Sequence, residues 1–348
     1  MAFGHRLLAW YDAMRRDLPW RQSRDPYRVW VAEVMLQQTR VDQAVDYYER
    51  FMRSFPTVSA LAGADLGDVL REWEGLGYYA RARHLHAAAR EIVARWDSDV
   101  PRSYEALRTL PGIGAYTARA VLSIAYGLPF AAVDANVNRI LSRVFSVAEP
   151  SRGKTIQALA DSVLHRARPG AFNQALMDLG AMVCRPKSPD CGACPIQEFC
   201  SAFAAGTPEA FPGRKARPKV PHYDIAVGIL FDHRGRLLIQ QRAPEAMLGG
   251  LWEFPGGKCE KGETPEAACR REVQEEIEVT VEDCELACRV QQAYSHFRIT
   301  LYAFRCARWT GTPRSHRGLP LKWVDRSELD QYAFPRANRR VLDILHGD

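Results

Sequence analysis

The chain predicts two domains of different class, an all-α domain followed by an α+β domain, on three observations. Its 348 residues, 47% hydrophobic and 25% charged, suffice for two separate cores. The apolar spacing changes from threes and fours to short β-type runs after a proline-rich connector. No cysteine occurs before Cys184, and four then fall within 17 residues.

Taken in order, Val29 to Tyr48 and Leu85 to Trp96 carry apolar residues three and four apart, which predicts helices. Ala115 to Tyr126 predicts a short apolar helix. Glycine and proline punctuate these segments, as at Leu110-Pro111-Gly112-Ile113-Gly114. Residues 1–205 form the predicted helical domain and 206–221 a linker, where Thr207 to Pro221 holds four prolines and four basic residues. Residues 222–348 form the second domain. There, Ile225–Phe231 and Leu237–Gln241 read as strands joined by the hairpin signal Asp232-His233-Arg234-Gly235. Glu266 to Glu278 reads as a helix and Ile299–Cys306 as a strand.

The net charge of +6 is uneven: +4 over 1–205, +3 over 206–221 and −1 over 222–348. A basic first half and connector suit a polyanionic partner. The longest mainly apolar stretch, Ala120 to Val133, is 14 residues long and contains Gly127 and Pro129, too short and broken to span a bilayer. The N-terminus lacks the pattern of a secretory signal, so a soluble, cytoplasmic protein is expected, associated with the nucleoid if the source is bacterial. No oligomerisation seam is evident, and a monomer is expected.

Cys184, Cys191, Cys194 and Cys200 form a C-x6-C-x2-C-x5-C run. In a reducing compartment such a cluster reads as a metal site, and four thiolates suit zinc or an iron–sulfur cluster. Cys259, Cys269, Cys284, Cys288 and Cys306 show no such spacing and read as core or surface thiols. Gly112 and Gly114 allow a tight turn between two helices, whose amides can hold a phosphate; an ordinary helix–turn–helix corner has the same pattern. Val133-Asp134-Ala135-Asn136-Val137-Asn138-Arg139 follows about 20 residues on. Hairpin, aspartate and four-cysteine run, in this order, resemble the helix-hairpin-helix glycosylases of the endonuclease III superfamily. That resemblance implies a [4Fe–4S] cluster on the four cysteines. It also implies no lyase step, because Tyr116 stands where strand-cleaving members carry a lysine, and a phenol cannot form a Schiff base.

Removing a base from DNA calls for an acid near the base and negative charge near the sugar. Glu33, set among apolar residues in Val31–Thr39, and Asp134 are the candidates. Taken singly, Glu33 also suits the solvent face of an amphipathic helix, and Asp134 a helix N-cap. Leu18-Pro19-Trp20-Arg21, Glu33–Thr39, Gly75-Leu76-Gly77-Tyr78-Tyr79-Ala80-Arg81-Ala82-Arg83 and Leu110–Ala118 resemble the MutY adenine glycosylases over nearly all of 1–205. The resemblance implies Glu33 as the acid that protonates adenine N7 and Asp134 as the stabiliser of the sugar cation, supported by Tyr116 and Asn136. It places Trp20, Arg21 and Asp178 at the adenine pocket, Asp178 where some relatives have glutamate. It places Gln38, Leu76, Tyr78, Gly112 and Gly114 on DNA, with the target base extrahelical.

In the second domain, Gly257-x5-Glu263-x7-Arg271-Glu272-Val273-Gln274-Glu275-Glu276 resembles the Nudix box, with Glu278 in place of its usual glycine. Glu272, Glu275 and Glu276 share one helical face, a cage for Mg²⁺ in diphosphate chemistry. Arg242, Trp252–Gly257 and Phe334-Pro335-Arg336-Ala337-Asn338 have counterparts in MutT hydrolases. Tyr294-Ser295-His296-Phe297 resembles the MutY loop that contacts 8-oxoguanine, which implies Ser295 and His296 in lesion recognition. The expected function is monofunctional excision of adenine opposite 8-oxoguanine, or opposite G, in double-stranded DNA. The alternative is Nudix pyrophosphohydrolysis of 8-oxo-dGTP, alone or as a second activity; a catalytically silent lesion-binding protein is disfavoured by the presence of both carboxylates.

Overall fold

The computed structural model describes residues 2–148, 153–213 and 220–347, so part of the predicted linker, 214–219, lies outside the described residues. The chain forms two compact units, Met1–Gly63 with His84–Arg217, and Ala64–Arg83 with Pro218–Asp348. Helices in chain order are α1 (Ala2–Met14), α2 (Pro26–Met35), α3 (Val41–Ser54), α4 (Val58–Gly63), α5 (Leu66–Glu72), α6 (Ala80–Trp96), α7 (Tyr104–Thr109), α8 (Ala115–Ile124), α9 (Ala135–Val144), α10 (Gly153–Val163), α11 (Pro169–Met182) and α12 (Ser201–Ala204). None in the described residues is long and apolar enough to cross a membrane.

In the first unit, α1, α9 and α11 enclose one core. Leu7, Leu8 and Tyr11 meet Ile140, Leu141, Phe172 and Leu176, all buried. The predicted helix Val29 to Tyr48 is two helices. The stretch from Val29 to Met35 in α2 is buried on every side, whereas α3 buries only the stripe Ala44, Tyr48, Phe51 and Met52. A buried rod and an amphipathic one face different surroundings, and the chain turns between them at Gln38, whose φ is 58°. Segment 64–83, expected within the helical domain, packs in the second unit. There Arg339 grips Glu74 through two hydrogen bonds of 2.7 and 3.1 Å, and Arg83 donates to the Gly249 carbonyl at 2.6 Å.

The second unit contains β1 (His222–Leu230), β2 (Leu237–Gln241), β3 (Trp252–Glu253), β4 (Gly256–Lys258), α13 (Pro265–Ile277), β5 (Thr280–Val281), β6 (Glu285–Ala293), β7 (Arg298–Cys306), β8 (Trp309–Thr310), β9 (Leu321–Val324) and α14 (Arg336–Gly347). The strands form sheets of order β4-β1-β7-β6, β3-β2-β9 and β5-β8. The predicted β1–β2 hairpin is corrected. Its turn forms, Gly235 taking φ 78° and Asp232 N–H bonding the Arg236 carbonyl at 3.0 Å, but the strands part into separate sheets after a single bridge, Phe231 to Leu237. Both flanks have better apolar partners elsewhere. Ala226 and Leu230 of β1 face α13, while Val227 and Ile229 face the core that contains Val341 and Leu342 of α14.

Candidate active site

Two carboxylates of the first unit line one cavity of 640 Å³, together with Arg16, Trp20, Arg21, Gln38, Gly112, Gly114, Tyr116 and Asn136. Glu33 sits on α2 and is only 6% exposed, so the solvent-face alternative is removed. It accepts a 2.6 Å hydrogen bond from the Tyr116 hydroxyl on α8. Burial pushes its carboxyl up to about 7; the Tyr116 bond opposes that rise and the nearby Asp134 adds to it. Burial also raises Tyr116, which therefore stays a neutral donor.

Asp134 is both an N-cap and a wall of this cavity. Its Oδ1 accepts from Val137 N–H at 2.7 Å and its Oδ2 from the Asn136 amide at 3.0 Å, at the start of α9. Burial raises its carboxyl, against the hydrogen bonds from Val137 and Asn136. Those donors and the helix N-terminus favour the anion. Glu33 accepts from the Tyr116 hydroxyl and has no helix terminus to help it. Burial raises both carboxyls, and what distinguishes Asp134 is the set of donors that hold its anion.

The supporting shell includes residues that the sequence did not single out. Asn173, fully buried on α11, accepts from Ala132 N–H at 3.1 Å and donates to Ser123 Oγ and the Phe130 carbonyl at 2.8 Å, pinning the loop that presents Asp134. Arg139 donates to Asn136 Oδ1 at 2.9 Å and to the carbonyls of Gly180 and Cys184 at 2.7 and 2.8 Å. Arg16 and Arg21 both clasp Asp178, at 2.6 Å in their shortest contacts. Asp178 is 0% exposed and does not line the cavity; it holds the arginines that do. Burial would raise its carboxyl, but the two guanidinium groups keep it below the usual range.

The hairpin ends in α8 with Gly114 at its N-cap and no side chain capping the first amides. Gly112 has φ 72°, and a Cβ there would lie 2.6 Å from His84 Cβ, so only glycine lets the turn close against α6. Gln38 is exposed at the cavity rim. Leu76 is buried, at 5% exposure. Tyr78, with φ 50°, donates to Ser295 Oγ within the second unit.

Cys184, Cys191, Cys194 and Cys200 surround one small cavity, and Arg143 donates to Cys184 Sγ at 3.2 Å. Among the described residues, the only His, Cys and acidic trio with ligand atoms mutually within 4.8 Å lies elsewhere. Four cysteine thiols around one cavity, with a guanidinium on one of them, form a donor set that suits an iron–sulfur cluster.

In the second unit a cavity of 560 Å³ is lined by Arg242, Glu253, Glu276, Tyr294, His296 and Asn338. Ser295 is exposed at the β6–β7 turn, where the Tyr294 and Phe297 rings stack at 4.7 Å. Glu272, Glu275 and Glu276 line a neighbouring cavity. Arg271 bonds Glu263 and Glu272 at 2.9 Å and Glu275 at 3.2 Å, while Glu276 accepts from Gly256 N–H at 3.0 Å. Glu278 closes α13 in the left-handed region (φ 59°), the conformation the usual glycine would adopt.

Comparison with known proteins agrees with this geometry. Residues 31–164 match the HhH-GPD superfamily of base excision DNA repair proteins, 184–200 the iron-sulfur binding domain of endonuclease III, and 226–343 the NUDIX domain. The adenine DNA glycosylase of Rattus norvegicus is 34% identical over 99% of this chain and 78% of its own length, and that of Homo sapiens 33% over 99% and 74%. A thermostable thymine-DNA glycosylase superposes with a TM-score of 0.54 and 30% identity, covering 58% of this chain and 95% of that one. Endonuclease III bound to DNA shares the fold at a TM-score of 0.52 and 20% identity, over 58% of this chain and 94% of its own. With two carboxylates on one cavity, a helix-hairpin-helix beside it, an iron–sulfur cysteine motif and a Nudix unit, this chain belongs to the adenine DNA glycosylase family.

Proposed function

We propose that the chain hydrolyses the N-glycosidic bond of adenine mispaired with 8-oxoguanine, or with G, in double-stranded DNA. The observation that carries this is the pairing of Glu33, whose carboxyl is pushed up to about 7, with Asp134, whose anion accepts from Asn136 and Val137, on one cavity. A protonated Glu33 delivers its proton to the departing purine, which then leaves as a neutral base. Asp134 faces the sugar and offsets its developing positive charge. Glu33, left as a carboxylate, takes a proton from the incoming water. Trp20 and Arg21 bound the space for the base, and the uncapped α8 amides with Gly112 and Gly114 suit a backbone phosphate. With Tyr116 at the hairpin position no amine is available for a Schiff base, so the strand is left intact.

The four cysteines of the run would hold a [4Fe–4S] cluster, and Arg143 would balance part of its charge. Ser295 and His296, exposed at the β6–β7 turn of the second unit, would read the oxidised purine of the opposite strand. The site of action is the compartment that holds the DNA. Single-turnover excision on duplexes with A opposite 8-oxoguanine, G or T tests this reading: fast, slower and negligible rates are expected. Equal rates on the first and third would refute it.

A second reading rests on one observation, the three box glutamates on a common cavity. Glu272, Glu275 and Glu276 would hold Mg²⁺ for cleavage of 8-oxo-dGTP once Arg271 yields its contacts. Mg²⁺-dependent pyrophosphate release, lost in Glu275→Gln and retained in Glu33→Gln, would establish it.

A further inference from the structure

Three cysteines that look unrelated in the sequence meet in the second unit. Cys269 lies on α13, Cys284 just before β6 and Cys306 at the end of β7. Their sulfurs all lie within 4.8 Å of one another. Cys269 and Cys306 are fully buried and Cys284 is half-buried, so the trio has an apolar floor and one side open to entry.

We propose that Cys269, Cys284 and Cys306 bind one thiophilic cation of the Zn²⁺ or Cu⁺ class, at a site separate from the iron–sulfur motif. A cation about 2.3 Å from three sulfurs sets them roughly 3.8–4.0 Å apart, so the trio closes by small side-chain rotations. Soft thiolate donors select this class over Mg²⁺ or Ca²⁺. The backbone around the trio is already held. Glu282 and Asp283 donate N–H groups to the Arg308 carbonyl at 3.0 and 3.2 Å, tying the loop before Cys284 to the chain beyond Cys306. Arg270, next to Cys269, donates to the Val281 carbonyl at 2.5 Å and lies near enough for its charge to act on Cys284 and Cys306. That cation offsets the negative charge left when three thiolates surround a mono- or divalent ion. On β1, Gly228 makes room, since a Cβ there would stand 3.3 Å from Cys306 Sγ. Binding releases three thiol protons to solvent and involves no oxidation.

The test uses the full chain with its iron–sulfur site loaded, exposed to Cd²⁺ or to Cu⁺ and then desalted. Wild type should retain about one equivalent more than Cys284→Ser, with the visible iron–sulfur absorption equal in both proteins. Retention of Cd²⁺ marks a zinc-type site completed by solvent, and retention of Cu⁺ alone marks a three-coordinate one. A second measurement needs no variant: the retained metal, Cd²⁺ or Cu⁺, should slow alkylation of Cys284 in wild type by at least about fivefold. Equal metal retention by both proteins, alkylation unaffected by either metal, or recovery of a disulfide within the trio without metal uptake would each overturn the proposal.

Discussion

Glu33 and Asp134 are both carboxylates held from water, and what separates them is their donors. Asp134 accepts from Val137 and Asn136 at a helix N-terminus, whereas Glu33 accepts from one phenol. An acid at about 7 should give excision that falls as pH rises through that value, read in single-turnover rates. Stability falls with rising pH as well, over a window that begins lower. Between the unfolded value of 4.5 and about 7, the folded chain keeps a proton that the unfolded chain has released. Stability at this position therefore falls as pH rises through that window and is level above it. Glu33→Gln should lower excision by about 10²–10⁴-fold, spare DNA binding, and stabilise the chain in chemical unfolding more at pH 8 than at pH 5, by up to ~3 kcal/mol. Retained excision would remove Glu33 from the acid role. At Glu278, replacement by glycine should stabilise the second unit by ~0.5–1 kcal/mol in denaturant unfolding, because φ 59° strains any residue with a Cβ.

At the scale of elements, the cavity depends on ties between helices distant in sequence. Asp178 of α11 holds Arg16, which follows α1, and Arg21, which precedes α2. Asp178→Ala would strand two buried or half-buried guanidinium groups, and a loss of about 3–5 kcal/mol is expected by chemical unfolding. The hairpin is sensitive for a steric reason. Gly112→Ala would bring a methyl group against His84 at positive φ, so DNA affinity should drop uniformly across sequences, with a shallower salt dependence than wild type. An unchanged salt slope would mean that the hairpin holds no phosphate.

For the whole molecule, the units are not consecutive stretches of chain. Segment 64–83 belongs with 218–348, so truncating at 222 would strip Glu74 of Arg339 and Arg83 of its Gly249 contact. A truncation would thus mix a folding defect with any loss of recognition. Ser295→Ala is the cleaner probe. It should lower the ratio of excision opposite 8-oxoguanine to excision opposite G while leaving the slower reaction unchanged. An unaltered ratio would show that Ser295 does not read the lesion.

Local pattern was enough for much of this protein. Two fold classes, the cysteine run, the hairpin and the box glutamates were all legible, because each is a short stretch whose chemistry is set by spacing along one turn or one helix. Glu33 and Asp134 could be named, and the cap at Asp134 is local, but the burial of Glu33 and its Tyr116 donor could not be read, since they come from elements distant in sequence. The break at Gln38, the parting of β1 from β2, the burial of Leu76 and Asp178, the pinning role of Asn173 and the meeting of three scattered cysteines were decided only in three dimensions. Each depends on which surfaces long-range packing brings together, and a one-dimensional pattern carries residue types and intervals but not those partners.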